Sequence, residues 1–317
     1  MGGSDDRGFY RALSQRSHIT GALIVFTAAV GFSFKSILIK LAYVHPVDAA
    51  TLLALRMAFS LPFFLSMAFW SRRRKRHLPL DRRQWGAVLG LGFIGYYLAS
   101  YLDFLGLQYV SASFERLTLF LYPTLVVLLS ALILKRRITR FQTVALLLSY
   151  SGIVLVFFEN LSFGSAQHQV WLGAGLVFGS ALIYSFYLIG SAEVVGAIGA
   201  VRFTAYAMTV ACFFTFAQFL LTHPISALVL PHQVYTLTFI MAVTSTVIPS
   251  WLMSEGLHRI GANQAALVGS IGPVVTIILG WVCLDEPITA VQMVGAGLVL
   301  TGVTLVTIRR GQSVRAA

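Results

Sequence analysis

Glu115 and Arg116 stand side by side in "ASFERLTLFLYPTLVVLLSALIL" (112–134), a stretch that is otherwise almost wholly apolar. Lys35, Lys40, Arg56 and Asp103 lie in equally oily surroundings. A charged side chain at the centre of a bilayer costs about 2.5–3.5 kcal/mol on insertion scales, so such residues pair with one another or line a hydrated cavity. Successive residues on a helix point about 100° apart, so Glu115 and Arg116 must meet different neighbours. Glu115 is expected to pair with Arg56 or Lys35, and Arg116 with Asp103. Purely structural pairing that locks the helices accounts for the same residues equally well. Yet four bases against two acids leave a surplus of positive charge, which the carboxylate or phosphate of a solute would neutralise. Lys40 lies nearer the end of its apolar run, where a lysine reaches the interface by extending its stem.

Aromatic residues supply a second element. Tyr97 and Tyr101 are spaced i, i+4 with Ser100 between them, and Tyr184 and Tyr187 are spaced i, i+3 close to Ser180. Together with Trp251 they form faces able to stack on a ring or a cation; ordinary packing is the alternative for each. The site expected from sequence is therefore Lys35, Arg56, Tyr97, Tyr101, Glu115, Arg116, Tyr184, Tyr187 and Trp251. Pro123 and Pro273 sit in the middle of apolar runs, where proline removes a backbone donor and bends a helix. They are expected to be hinges that free the carbonyls of Leu119 and Gly269.

The elements that carry these residues follow from composition. The chain has 317 residues, of which 57% are hydrophobic and only 11% charged. A soluble domain carries about 25% charged residues, so the class is an all-α integral membrane protein. Ten runs are long enough to span: 20–43, 49–70, 85–108, 112–134, 139–158, 170–191, 199–221, 233–256, 262–284 and 288–308. The first is too long for the apolar core of a signal peptide. The net charge of +12 is not a nucleic-acid footprint, because the basic residues are bunched between apolar runs. With the N-terminus inside, 19 of the 23 basic residues fall in inner segments and the other four within spans. That asymmetry predicts a multi-pass inner-membrane protein with both termini cytoplasmic.

The chain also repeats. Shifted by 150 residues, "GLQYVSAS" (106–113) falls on "GLHRIGAN" (256–263), "ITRFQTV" on "ITAVQMV", Pro123 on Pro273 and Gly152 on Gly302. Ser100-Tyr101-Leu102 likewise falls on Ser250-Trp251-Leu252. Each half holds five helices, an odd number, so the second half enters the membrane inverted. Inverted repeats are the architecture of many secondary transporters. The expected organisation is a cytoplasmic segment 1–19, a first repeat 20–158, a second repeat 170–308 and a cytoplasmic tail 309–317.

The stretches 31–64, 106–134 and 261–289, the last containing "GPVVTIILGWVCLDEPIT", resemble the EamA-type repeats of the drug/metabolite transporter superfamily. The resemblance spans about 20–308. It implies ten helices around a central cavity and the movement, often outward, of small metabolites such as amino acids, nucleotide-sugars or sugar phosphates. One departure is clear: the acid that the family pattern places after the fourth helix, matching Glu286, is replaced by "KRR" (135–137).

The functional expectation is a secondary carrier for a small metabolite, probing the two sides of the bilayer in turn, with no cofactor. Its partners are the lipid bilayer, the metabolite and a coupling proton or ion. Glu115 is the candidate proton site, although a paired base would keep it ionised. A channel-like facilitator and an integral membrane enzyme are the rivals. The seven histidines form no metal motif, and no nucleotide-binding loop is present.

Overall fold

The computed structural model describes residues 5–74, 80–133, 135, 138–163 and 167–315. Among them are ten helices long and apolar enough to cross a membrane. They are α1 (Ile19–Ala42), α2 (Ala49–Trp70), α3 (Arg82–Gly106), α4 (Ala112–Ile133), α5 (Arg140–Ser162), α6 (Gln167–Ile198), α7 (Ala200–Thr222), α8 (His232–Leu257), α9 (Gln264–Leu284) and α10 (Ala290–Thr307). The turns α1–α2, α3–α4, α7–α8 and α9–α10 lie at one end of the bundle, here the loop end. The start of α1 and the end of α10 lie at the other, the terminal end.

Packing follows the repeat. α1 of the first repeat packs on α8 of the second, and α6 packs reciprocally on α3; α2 faces α7, and α5 faces α10. Only small residues allow the last pair to approach so closely. A methyl group on Gly152 would lie 2.5 Å from the carbonyl oxygen of Gly295, and one on Gly302 would lie 2.5 Å from that of Ala145. Those two contacts are related by the 150-residue shift, so the repeat visible in sequence is a spatial symmetry of the molecule. With little hydrophobic drive between helices in lipid, close backbone packing of this kind is what holds spans together.

Three local features break the helices where the site lies. α4 is interrupted at Phe120–Leu121 and α9 at Ser270–Ile271. The expectation of mid-helix prolines is corrected here. The breaks fall two residues before Pro123 and Pro273, so each proline stands in the first turn of the following half-helix (Tyr122–Ile133 and Gly272–Leu284). In that first turn the missing N–H has no intrahelical partner to lose. The third feature is a π-helical turn in each repeat's third helix, Phe93–Leu98 in α3 and Val243–Val247 in α8. These turns are also related by the 150-residue shift. A π turn inserts an extra residue and re-aims the side chains that follow, and such turns concentrate at functional sites.

Candidate functional site

The residues expected from sequence fall into three groups. The first is an ionic cluster in the loop-end half of the first repeat. Lys35 Nζ lies 2.5 Å from Asp103 Oδ2 and 3.2 Å from Glu115 Oε1. The Ser36 hydroxyl donates to Glu115 Oε2 at 2.5 Å. Glu115 is fully buried and Asp103 nearly so. The pairing of Glu115 with Lys35 is therefore present. The pairing of Arg116 with Asp103 is not, because Asp103 is taken by Lys35. Arg56 is buried beside this cluster. Its Nε donates to Thr246 Oγ1 at 3.0 Å, and its guanidinium carbon stands 5.3 Å from the centre of the Phe104 ring. Thr246 belongs to the π turn of α8, so a base of the first repeat is held by the second.

The second group surrounds the helix breaks. Arg116 points away from Lys35 and toward α9. A methyl group on Gly272 would lie 3.0 Å from Arg116 Nη2, so the bare backbone at the break of α9 admits the guanidinium. Arg116 Nε is buried with no hydrogen-bond partner among the described residues. Tyr122 and Tyr184 lie nearby and open an aromatic row. Tyr122 meets Tyr184 edge-on at 5.7 Å, Tyr184 stacks on Tyr187 at 5.4 Å, and Tyr187 meets Tyr96 at 5.1 Å. The Tyr187 hydroxyl donates to that of Tyr96 at 3.0 Å. A methyl on Gly95 would overlap the Tyr187 ring, so the row depends on that glycine.

The breaks themselves are bridged reciprocally. The Ser33 hydroxyl of α1 lies 2.9 Å from the Gly272 carbonyl oxygen at the break of α9 and 2.8 Å from that of Ala29 in its own helix. The Ser185 hydroxyl of α6 lies 3.3 Å from the Tyr122 carbonyl oxygen at the break of α4 and 2.7 Å from that of Ala181. The first helix of each repeat thus shares one proton between its own turn and the broken helix of the other repeat.

The third group stands apart from the aromatic row. Tyr97 and Tyr101 stack on each other at 6.4 Å, and Tyr97 also stacks on Phe214 of α7 at 6.0 Å. They lie on a different face of α3 from Tyr96. Trp251 is 59% exposed and forms part of a separate cleft of about 470 Å³ between α2, α7 and α8, with Phe63, Met67, Trp70, Thr204 and Ser250. Sequence spacing placed all three with the other aromatics; the π turns and the helix rotation separate them. Tyr96, Tyr122, Ser33, Ser36 and Thr246 were not singled out from sequence. The 150-residue shift aligns Tyr96 with Thr246, but the π turns that aim them have no matching residues in the sequence. Among the described residues no group of His, Cys, Asp and Glu side chains has the arrangement of a metal site.

A bundle of ten spans, built as two inverted repeats that meet at broken helices and buried charge, defines a membrane transporter by its architecture. Residues 19–158 and 171–308 each match the EamA-like transporter family. The chain belongs to that family. It is 31% identical to the uncharacterized transporter YcbK of Bacillus subtilis (strain 168), over 94% of this chain and 96% of that protein. It is 22% identical to the uncharacterized transporter sll1319 of Synechocystis sp. (strain ATCC 27184 / PCC 6803 / Kazusa), over 91% and 93%. One solved crystal structure superposes with a TM-score of 0.62 at 18% identity, covering 92% of this chain and 98% of its own, a likeness of fold alone.

Proposed function

We propose that the protein is a secondary carrier exporting a small solute with a carboxylate or phosphate group, and that Arg116 receives that group. The observation that carries this reading is Arg116 itself. Lys35 is paired with the carboxylates of Asp103 and Glu115, and Arg56 donates to Thr246. Arg116 instead projects to the junction of the repeats with a buried nitrogen that no described residue satisfies. A guanidinium is always charged and binds carboxylate and phosphate with two parallel hydrogen bonds. The adjacent tyrosine row supplies faces for an apolar or ring-bearing remainder of the solute. The site lies between repeats, where two mirror-oriented halves expose it to each side in turn. The distribution of basic residues supports an inner-membrane location with cytoplasmic termini.

Counterflow in proteoliposomes tests the reading. The unaltered protein is expected to show saturable exchange of an anionic solute from a panel of amino acids and sugar phosphates. Arg116→Gln is expected to lower that exchange by about tenfold or more, the worth of a hydrogen bond to a charged group. Equal exchange by a folded Arg116→Gln protein sinks the assignment, and flux without saturation replaces the carrier by a channel-like facilitator. With Glu115 already paired to Lys35, an imposed pH gradient is expected to leave the rate unchanged.

A further inference from the structure

The two ends of the bundle are chemically unequal, and the inequality lies in positions the repeat makes equivalent. At the loop end, α9 finishes in a left-handed turn at Asp285 (φ 54°), and the Glu286 N–H returns to the Gly280 carbonyl at 3.1 Å. This turn swings the Glu286 carboxylate across the junction onto the first turn of α4. It accepts from Ala112 N at 2.7 Å, Ser113 N at 3.2 Å and Ser113 Oγ at 2.7 Å. Those N–H groups have no intrahelical partner, and the helix start favours negative charge. Gly280 makes room: a methyl there would lie 2.8 Å from Glu286 Oε2. Alongside, the Thr289 hydroxyl donates to the Glu159 carboxylate, and the Ser111 hydroxyl donates to Asn160 Oδ1 at 2.9 Å.

In the first repeat the equivalent turn is at Lys135, with the same left-handed backbone (φ 51°). The next residue, matching Glu286, is Arg136. The residues matching Glu159 and Asn160 are Arg309 and Arg310. A guanidinium has no acceptor atom, so none of the three can receive the N–H or O–H groups that their counterparts receive, whatever its position. Packing differs in the same sense. At the loop end, the later half of α9 packs on the early half of α4, and the later half of α3 packs on α2. Among the described residues the symmetry-related pairs at the terminal end, α4 with the early half of α9 and α7 with the later half of α8, have no comparable packing. The cleft at Trp251 lies there instead.

We propose that Glu286 is a one-sided latch: it holds the loop end of the carrier shut, and Arg136 denies the terminal end the same closure. The unloaded molecule then rests open at the terminal end, and opening the loop end requires the Glu286 contacts to break. This inference rests on the carrier reading for its role in transport. With cytoplasmic termini it makes the resting state one that collects solute from inside. It also gives a reason for the asymmetry, since the basic charge that orients the protein excludes an acidic latch from the inner end.

The test is a distance measurement on the full chain in lipid nanodiscs, with spin labels on the native, exposed Cys283 and on a cysteine placed at Gln108. Cys212 is buried and stays unlabelled. The unaltered protein is expected to give one short distance. Glu286→Arg, which gives the second repeat the residue the first one has, should shift the ratio of long to short distances by about tenfold. Arg136→Glu alone should move the ratio the same way, by letting the terminal end close, and the double exchange should make the long distance dominant. An unchanged single distance in folded Glu286→Arg, or in Gly280→Ala if the first variant does not fold, overturns the latch. No solute enters this measurement, so a shifted distance without counterflow would refute the carrier reading and leave the latch standing.

Discussion

Away from the Glu286 contacts, the first repeat carries buried charge where the second carries rings and methyl groups. Arg56, Asp103, Glu115 and Arg116 of the first repeat correspond by the 150-residue shift to Tyr206, Met253, Ala265 and Ala266 of the second, and Lys35 to Tyr187 by the 152-residue offset at which Ser33 and Ser185 bridge the two breaks. Tyr187 and Tyr206 are buried in one apolar cluster with Phe203 and Val88, and Ala265 in another with Val25 and Ile260. The same backbone plan is therefore held by two chemistries. Ion pairs in a low-dielectric interior fail as units, because removing one partner strands the other. Apolar contacts fail piecemeal, in proportion to the atoms lost or crowded.

The sharpest way to break this comparison is Lys35→Met. It leaves the Asp103 and Glu115 carboxylates buried together without their shared base, and a loss of about 3–5 kcal/mol is expected, read as a large drop in thermal midpoint in detergent. Tyr187→Phe, at the matching place in the second repeat, removes one hydroxyl hydrogen bond and is expected to cost about 0.5–1.5 kcal/mol. Equal losses from the two changes would mean that the charge cluster is not a unit. Next in size, Gly95→Ala drives a methyl into the Tyr187 ring, and crowding of this kind costs about 1–3 kcal/mol. The rest of the aromatic row should also be displaced, visible as a changed near-ultraviolet circular dichroism spectrum; an unaltered spectrum and midpoint would show that the row is loosely packed. The smallest effect is at the serine bridges. Ser33→Ala, losing a 2.9 Å contact to the other repeat, is expected to cost about 1 kcal/mol. Ser185→Ala, whose matching contact is 3.3 Å, should cost less, and the reverse order would show that the two breaks are not bridged as the distances suggest.

Much of the fold was legible because lipid leaves the chain few choices. Each span needs about 20 apolar residues whatever its partners, and Gly152, Gly302, Pro123 and Pro273 kept their register through the duplication. The pairing of Glu115 with Lys35 was also within reach, since few bases were available in the oily runs. Arg116 was assigned the wrong partner for a physical reason. Two acids near one lysine can be told apart only by how each helix is rotated, and sequence spacing carries no rotation. The tyrosines show the same limit. Tyr96 and Tyr97 are neighbours in the chain, yet one joins the row at Tyr187 and the other stacks on Phe214, because successive residues of one helix face different neighbours.

The sequence by itself determined the solvent, the number of crossings and the inverted duplication, since these follow from apolar length, from matched Gly and Pro, and from an odd count of helices per half. It also contained the difference between Glu286 and Arg136. Only the tertiary structure decided what that difference meets: the left-handed turn places a carboxylate on the open end of α4, and a hydrogen bond exists only where donor and acceptor are brought within about 3 Å.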